Sequence, residues 1–105
     1  MFGLKQQYID AICACFADFP AIQEVVIYGS RAKGNYKNGS DIDLTIIDDN
    51  LSWSDIAYLE NMLDDLMLPY KFDLSLKRKI TNSDLIDRIN RVGQTFYRKS
   101  KIDKN

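Results

Sequence analysis

Hydrophobic residues recur at helical spacing in three segments of the chain. In the first segment, which ends before Pro20, they are Tyr8, Ile12, Cys15, Phe16 and Phe19. The second segment follows two candidate capping residues, Ser52 and Ser54, and its apolar positions are Ile56, Leu59, Leu63 and Leu66. The third begins after Thr81 or Asn82 and ends at Gly93, and its apolar positions are Leu85, Ile86, Ile89 and Val92. These spacings predict three amphipathic helices.

Four other segments have the pattern of strands. Residues 24–28 form an apolar run that ends at Gly29, which indicates a buried strand. Residues 42–47 and 70–76 alternate between apolar and polar side chains, so each of these two strands has one apolar and one polar face. Residues 95–97 add a short candidate strand.

The order of these elements predicts a single α/β domain over residues 1–105, with a small mixed β-sheet flanked by helices. Between the first two strands, residues 31–40 hold two glycines, two asparagines and three basic residues. That composition is typical of a mobile loop that faces phosphate, and a short helix is expected after Ser30. Residues 98–105 are polar and are expected to fray.

Two carboxylates open the second predicted strand, at Asp41 and Asp43. Their side chains point to the same face, roughly 7 Å apart along the backbone, so both can reach one hard cation. In the third strand Phe72 and Leu74 face the core, which leaves Asp73 on the polar face. The three carboxylates therefore predict a metal site.

A turn of Gly29 and Ser30 lies ten residues before Asp41. Its backbone amides and hydroxyl can bind the phosphates that a cation carries. The glycines at 29 and 34 also have the spacing of a P-loop, but Asn35 and Tyr36 stand where a P-loop requires Lys and Ser or Thr. We interpret the turn as a phosphate-binding element of another kind.

Composition narrows the chemistry further. The chain has no histidine, which excludes Ser-His and Cys-His hydrolases and most zinc sites. Cys13 and Cys15 face different directions on a helix, so we interpret them as buried apolar side chains. A formal net charge of −1 argues against direct nucleic-acid binding, and the basic run at 77–79 is interpreted as a solvated edge. Without a membrane-length apolar stretch or a signal-like start, the protein is expected to be cytoplasmic and not membrane-bound.

From Val25 to Tyr97 the chain resembles the DNA polymerase beta-like nucleotidyltransferase superfamily. The motif that carries the resemblance is Gly29-Ser30, ten residues, Asp41-Ile42-Asp43, and then Asp73 in the next strand. The short chain, the opening Gly29-Ser30-Arg31-Ala32-Lys33-Gly34 and the closing Gly93-Gln94-Thr95-Phe96-Tyr97 are similar to the minimal nucleotidyltransferase branch, the MntA-type antitoxins that are paired with HEPN toxins.

The resemblance implies nucleotidyl transfer from a nucleoside triphosphate such as ATP to an acceptor hydroxyl, with release of diphosphate. It implies that Asp41 and Asp43 bind two Mg²⁺ ions, for which Mn²⁺ can substitute. Asp73 would help to hold the ion that activates the hydroxyl, or accept its proton. The nucleotide-binding residues that it implies are Gly29, Ser30, Arg31 and Lys33. The partner that it implies is a HEPN-type toxin, AMPylated on a tyrosine within a hetero-oligomer.

Three other interpretations stay open on the sequence. The chain could be a non-catalytic antitoxin that acts by occlusion, although three mutually repelling carboxylates are costly without a cation. It could be a small-molecule nucleotidyltransferase, although one small domain leaves little surface to enclose both base and acceptor. The segment Asp41-Ile42-Asp43-Leu44-Thr45 also resembles the nucleophile motif of haloacid-dehalogenase-type phosphatases, but there the aspartates follow a buried strand, and here they precede one.

Overall fold

Residues 1–100, which the computed structural model describes, form four α-helices, four strands and one 3₁₀ turn. In chain order they are α1 (Gln6–Ala17), β1 (Ile22–Tyr28), α2 (Ser30–Lys33), β2 (Ile42–Asp48), α3 (Trp53–Asp65), β3 (Phe72–Leu76), the 3₁₀ turn (Lys77–Lys79), α4 (Ser83–Val92) and β4 (Gln94–Arg98). The predicted α/β class and the three long helices are confirmed. The short helix expected after Ser30 is α2.

The strands form one sheet in the order β3-β2-β1-β4. β1 pairs antiparallel with both β2 and β4, whereas β2 and β3 run parallel, so the predicted mixed sheet is confirmed. In the register of these strands Asp43 is opposite Tyr28 on one side and opposite Asp73 on the other. Residues that are opposite in neighbouring strands point to the same face, so these three side chains form one row.

The core lies on the opposite face of the sheet. Ile42, Leu44 and Ile46 are fully buried there, as the alternation in β2 predicts. Phe16 of α1 and Leu59 of α3 are also fully buried in this core. Burial of a side chain of this size stabilises the fold by about 1.5–3 kcal/mol. The apolar face of β2 therefore holds the strand in its register.

The predicted helix caps are present. The Ser52 side chain accepts a hydrogen bond of 3.1 Å from the Asp55 amide at the start of α3. Of the two candidates for α4, Asn82 is the cap, and its side chain accepts a hydrogen bond of 3.1 Å from the Leu85 amide. A side-chain cap of this kind stabilises a helix by about 1 kcal/mol.

The second face of the sheet is polar at one end and covered at the other. Thr45 was expected on an open polar face, but its side chain is fully buried. α4 contacts β1 near this point, and a Cβ on Gly93 would lie only 2.7 Å from Val26. Of the four residues expected to face the core from α4, Ile89 is buried and the others, Leu85, Ile86 and Val92, are half-buried. α4 thus covers part of this face only.

Arg78 anchors the far end of β2. The carboxylate of Asp48 accepts hydrogen bonds of 2.8 Å from the Leu51 amide and 3.0 Å from Arg78 Nε, and Arg78 Nη2 donates to the Leu51 carbonyl at 3.1 Å. The Asp48 side chain is only 1% exposed. The chain therefore bends at residues 49–50, directly after β2, and Arg78 is held in place and is not part of a freely solvated edge.

The two cysteines differ in burial, and both are free thiols. Cys15 is buried, as predicted. Cys13 is only half-buried, and its Sγ donates a 3.5 Å hydrogen bond to the Phe96 carbonyl. Burial, with a smaller effect of the Asp10 carboxylate, raises the pKa of Cys13 to about 11.

The last described residues belong to the edge of the sheet. Arg98 ends β4, and the Lys99 amide donates a 2.9 Å hydrogen bond to the Gln23 carbonyl. The remainder of the expected frayed tail, residues 101–105, lies outside the described residues. Across residues 1–100 the helices are all too short, or too polar, to cross a membrane.

The buried hydroxyl of Thr45 generates a stability prediction. Its Oγ1 is the one buried side-chain polar atom within residues 1–100 that has no hydrogen-bond partner. We expect Thr45→Val to raise the free energy of unfolding by about 1 kcal/mol, because a buried donor without a partner is costly. Urea denaturation measures this. Thr95→Val is the control, because Thr95 Oγ1 donates a 2.7 Å hydrogen bond to Glu24 and its loss should bring no gain. A destabilised Thr45→Val protein would contradict the prediction.

Candidate active site

The sheet brings together the three carboxylates that the sequence singled out. Asp43 of β2 and Asp73 of β3 are directly opposite each other in register, and neighbouring strands lie about 4.8 Å apart. Asp41 precedes β2 by one residue, on the same side of the chain as Asp43. Asp41 and Asp73 are exposed and Asp43 is half-buried. We call these three residues the acidic row.

The acidic row is electrostatically coupled. The pKa of Asp43 is raised above its ordinary value, first by burial and then by the negative charges of Asp73 and Asp41. Three carboxylates provide the hard oxygen ligands that Mg²⁺ and Mn²⁺ prefer, and a divalent cation would relieve their repulsion. The donor set therefore fits such a cation. Within residues 1–100, no three acidic or cysteine side chains are placed close enough together to hold a metal ion without a change of side-chain conformation.

Gly29 is packed directly against the acidic row. Its φ is +77°, in the left-handed region, and a Cβ at this position would collide with the carboxylate of Asp43. Ser30 follows as the first residue of α2. The first amides of a helix have no carbonyl partner inside it, so residues 30–32 can offer their N–H groups to an anion. The structure thus places the Gly29-Ser30 turn next to Asp43, as the sequence predicted.

Arg31 lies elsewhere than expected. It was predicted to bind nucleotide, but it is only 3% exposed. Its Nε and Nη2 donate to the Ser40 carbonyl at 3.1 and 2.9 Å, and its Nη1 donates to the Phe2 carbonyl at 3.0 Å. The guanidinium also lies 5.3 Å from the ring centre of Tyr36 and 4.8 Å from that of Tyr70. The guanidinium is therefore used inside the protein, and nucleotide binding by Arg31 stays a prediction.

Lys33 is the other basic residue predicted to bind nucleotide. It is exposed at the end of α2, three residues after Ser30. α2 is itself held to the sheet, because the Gln94 side chain donates a 3.0 Å hydrogen bond to the Ala32 carbonyl. Of the two predicted charge partners for phosphate, Lys33 alone stays available on the surface.

Three residues beside the acidic row were missed by the sequence analysis. Tyr28 is only 7% exposed, and Ser75 and Arg88 lie close enough to act on its hydroxyl. Burial raises the pKa of Tyr28, and Asp73 and Asp43 raise it further, whereas a hydrogen bond from Ser75 and the charge of Arg88 lower it. The position of Tyr28 next to Gly29 was visible in the sequence. Its pairing with Asp43 was not, because that contact depends on strand register.

The acidic row lies on an open surface. The surface cavities of about 800, 200, 440 and 300 Å³ are lined by residues other than those of the row, and Asp41 and Asp73 are exposed. The cavity of about 800 Å³ lies between α3 and β3, against Leu63, Phe72 and Leu74. An acceptor could therefore reach Asp41 and Asp73 without entering a closed pocket.

Comparison with known proteins gives one family match. Residues 10–102 match the family model described as "Polymerase beta, Nucleotidyltransferase". A search of curated proteins found no match to the chain.

Solved structures with a similar fold include two toxin-antitoxin complexes. A chain of the "toxin-antitoxin with AMP-PNP" is 21% identical, with a TM-score of 0.69, and the match covers 91% of this chain and 77% of that one. A chain of the complex between tri-AMPylated Shewanella oneidensis HEPN toxin and MNT antitoxin is 19% identical, with a TM-score of 0.65, and the match covers 96% and 78%. At these identities the likeness establishes the fold.

The contact between Gly29 and Asp43 generates a prediction with a matched control. Gly29→Ala and Gly34→Ala both place a side chain at positive φ, +77° and +88°. Gly34, with ψ at +4°, is left-handed helical, where a side chain costs about 1–2 kcal/mol, whereas Gly29, with ψ at −155°, has a conformation that is essentially restricted to glycine. Only Gly29→Ala also drives a Cβ into the Asp43 carboxylate, because the space around Gly34 is open. We expect Gly29→Ala to lose at least about 1 kcal/mol more than Gly34→Ala in urea denaturation. Equal losses would mean that Asp43 does not pack on Gly29.

The pKa of Asp43 predicts how stability changes with pH. Because this pKa is raised above the ordinary value of 3.8, the folded state binds the proton more readily than the unfolded chain, and ionised Asp43 costs stability at neutral pH. Without metal, Asp43→Asn should therefore be more stable than wild type at pH 7. The difference should shrink as pH falls through the raised pKa towards 3.8.

Thermal melts across this pH range, in chelator, measure the effect. The control is Asp49→Asn, an exposed carboxylate outside the acidic row, which should change stability by less than about 0.5 kcal/mol throughout. An Asp43→Asn protein that is less stable than wild type at pH 7 would show that repulsion in the row is not the dominant effect.

Proposed function

Because this chain belongs to the polymerase beta nucleotidyltransferase family, we propose that it transfers an adenylyl group from ATP to an acceptor hydroxyl. The observation that supports the proposal most directly is the register that sets Asp43 against Asp73, with Gly29 packed on the Asp43 carboxylate. Carboxylates beside a phosphate-binding turn are the groups that such a transfer requires.

In the proposed reaction, the acceptor oxygen attacks the α-phosphorus of ATP. The bond from that phosphorus to the oxygen that bridges the α- and β-phosphates breaks, and diphosphate leaves with the electron pair. Asp73, which is exposed at the edge of the row, accepts the proton of the acceptor hydroxyl. The amides at residues 29–30, the Ser30 hydroxyl and the Lys33 ammonium group bind the phosphates.

Asp41 and Asp43 are the residues that would hold Mg²⁺ or Mn²⁺, with Asp73 completing the set. A divalent cation, when bound, neutralises charge on the transferred phosphoryl group and lowers the pKa of the attacking hydroxyl. The half-buried position of Asp43 against Gly29 restricts its side chain before any ligand arrives. Restricted ligands lose less conformational entropy on binding, so Asp43 is the best preorganised member of the row.

We propose further that the acceptor is a protein, a HEPN-type toxin with which this chain forms a hetero-oligomer as the antitoxin. The open position of the acidic row supports this, since a second macromolecule could supply the missing wall. Proteins of similar fold occur in complexes named for a HEPN toxin, in one case tri-AMPylated, and an MNT antitoxin. We propose that the toxin is a ribonuclease, so that an AMP group on one of its tyrosines adds a negative charge where it must bind RNA phosphates.

The purified pair, incubated with ATP and Mg²⁺, tests the proposal by intact-mass spectrometry. The toxin should gain the mass of one adenylyl group or a few. Asp41→Asn and Asp43→Asn should each slow this gain by more than about 10²–10³-fold, because each removes charge that the transition state needs. Circular dichroism should show that both variants remain folded.

Asp49→Asn is the control for this experiment, because it removes an exposed carboxylate outside the acidic row and should modify the toxin at the wild-type rate. If the toxin mass never changes while Asp43→Asn still neutralises the toxin in cells, neutralisation occurs by occlusion, and the enzymatic proposal is wrong. Modification of a small molecule in place of the toxin would favour a small-molecule nucleotidyltransferase.

A further inference from the structure

Arg31 is bound to the peptide group that immediately precedes the first aspartate of the acidic row. Two of its three hydrogen bonds, from Nε and Nη2, end on the Ser40 carbonyl, which belongs to the same peptide plane as the Asp41 amide. We propose that Arg31 is a positioning residue that holds Asp41 in place and thereby sets the cation affinity of the row. This inference rests on the proposed function and assigns to Arg31 a role other than phosphate binding.

Asp41 is held from both sides while its own side chain is exposed. On one side Arg31 holds the Ser40 carbonyl, and on the other the Ile42 amide donates a 2.9 Å hydrogen bond to the Lys71 carbonyl at the start of β3. The backbone of Asp41 is therefore fixed relative to both α2 and β3. The direction in which its carboxylate leaves the chain is fixed with it, because only the side-chain torsions remain free.

The loop before Asp41 needs such an anchor. The loop contains Gly34 and Gly39, both at positive φ. Within the loop, the Ser40 hydroxyl accepts a 2.8 Å hydrogen bond from the Lys37 amide. A glycine-containing loop of this kind has high conformational entropy when it is not held. Arg31 supplies the attachment that joins the end of this loop to α2.

The geometry of the contact requires an arginine. A planar guanidinium can direct two N–H groups at one carbonyl and a third at another, as Arg31 does with Ser40 and Phe2, while its faces stack on Tyr36 and Tyr70. A lysine has a single nitrogen and cannot reproduce the fork. Because all three bonds go to carbonyls, Arg31 neutralises none of the carboxylates, and their charge stays available for a cation.

The first residues of the described chain also support Arg31. Phe2 accepts its third hydrogen bond, and Gly3, at a φ of +71°, lies so close to Tyr36 that a Cβ would collide with the ring. The three atoms nearest to a Cβ on Gly3 all belong to the Tyr36 ring, so we expect a Gly3→Ala change to reach Asp41 through Tyr36 and Arg31. Gly3→Ala is therefore a second variant that disturbs the hydrogen bonds from Arg31 to Ser40, which we call the clamp, and leaves Arg31 itself in place.

Arg78→Met is a matched control for Arg31→Met. Arg78 also donates to a backbone carbonyl, that of Leu51, but at the opposite end of β2 and next to Asp48. Both substitutions remove a buried or partly buried arginine that anchors the same strand, so both should lower the melting temperature. Only Arg31→Met should disturb Asp41.

The metal-free proteins test the clamp itself through amide hydrogen exchange followed by NMR. Arg31→Met should raise the exchange rate of the Ile42 amide, which donates to the Lys71 carbonyl, by at least about tenfold, because the chain before it is no longer anchored. Arg78→Met should raise the rate of the Leu51 amide, which donates to Asp48, and leave the Ile42 amide unchanged. An unchanged rate at Ile42 in Arg31→Met would overturn the inference.

Titration with Mn²⁺, detected by electron paramagnetic resonance, tests the consequence for the acidic row. Arg31→Met should bind Mn²⁺ about 10–100-fold more weakly than wild type, as is common when a residue that orients a metal ligand is lost. Gly3→Ala should weaken binding in the same direction, and Arg31→Lys should not restore it. Arg78→Met should bind Mn²⁺ as wild type does. If Arg31→Met does not fold, Arg31→Lys and Gly3→Ala carry the test.

Asp43→Asn separates failure of this inference from failure of the proposed function. If Asp43→Asn binds Mn²⁺ more weakly than wild type but Arg31→Met, Arg31→Lys and Gly3→Ala do not, the positioning role is wrong and the metal site stands. If wild type and Asp43→Asn bind Mn²⁺ equally poorly, the metal site of the proposed function is wrong, and the positioning role falls with it.

Discussion

The structure depends on the parallel pairing of β2 with β3, which sets Asp43 directly beside Asp73. Like charges at opposite positions destabilise a sheet by up to about 1 kcal/mol, so this register is unfavourable on its polar face. On the other face it buries Ile42, Leu44 and Ile46 completely, and each such side chain contributes about 1.5–3 kcal/mol. A shift of one residue would expose all three. Burial on one face is therefore strong enough to maintain the repulsion on the other, a repulsion that a bound cation would relieve.

Two arginines hold the two ends of β2 and have opposite electrostatic consequences. Arg78 pairs with the almost fully buried carboxylate of Asp48 and so neutralises a charge that could not remain alone. Arg31 is itself buried but bonds only to carbonyl oxygens and aromatic faces. An arginine that paired with Asp41 in the same place would have stabilised the free protein and competed with a metal ion. The choice of carbonyl partners keeps the end of the strand rigid and keeps the acidic row negative.

One part of the polar face of the sheet is packed against other elements, and another part carries the acidic row. Towards one end, Thr45 is buried and α4 contacts β1, so this part is built like a second core layer. Towards the other end, Tyr28 lies across the sheet from Asp43 and Asp73, whereas Ser75 lies opposite Thr45. Tyr28 is only 7% exposed and is opposite Asp43 in the register, so its ring borders the row. The row itself remains open, which is consistent with a reaction that is completed by a second molecule.

Local patterns in the sequence determined the elements and most of the acidic row. Helical spacing, the caps Ser52 and Asn82, and the alternation in β2 depend on neighbours within a few residues, and these were predicted correctly. Only the tertiary structure decided that Arg31 is buried, that Thr45 is covered, and that Tyr28 faces Asp43. Each of these depends on strand register or on contacts between distant segments, such as that of Arg31 with Phe2. The local sequence around a basic residue such as Arg31 is the same whether its side chain faces solvent or bonds to a backbone carbonyl. The carbonyl that Arg31 bonds to comes from a distant segment, so only the fold shows which of the two occurs.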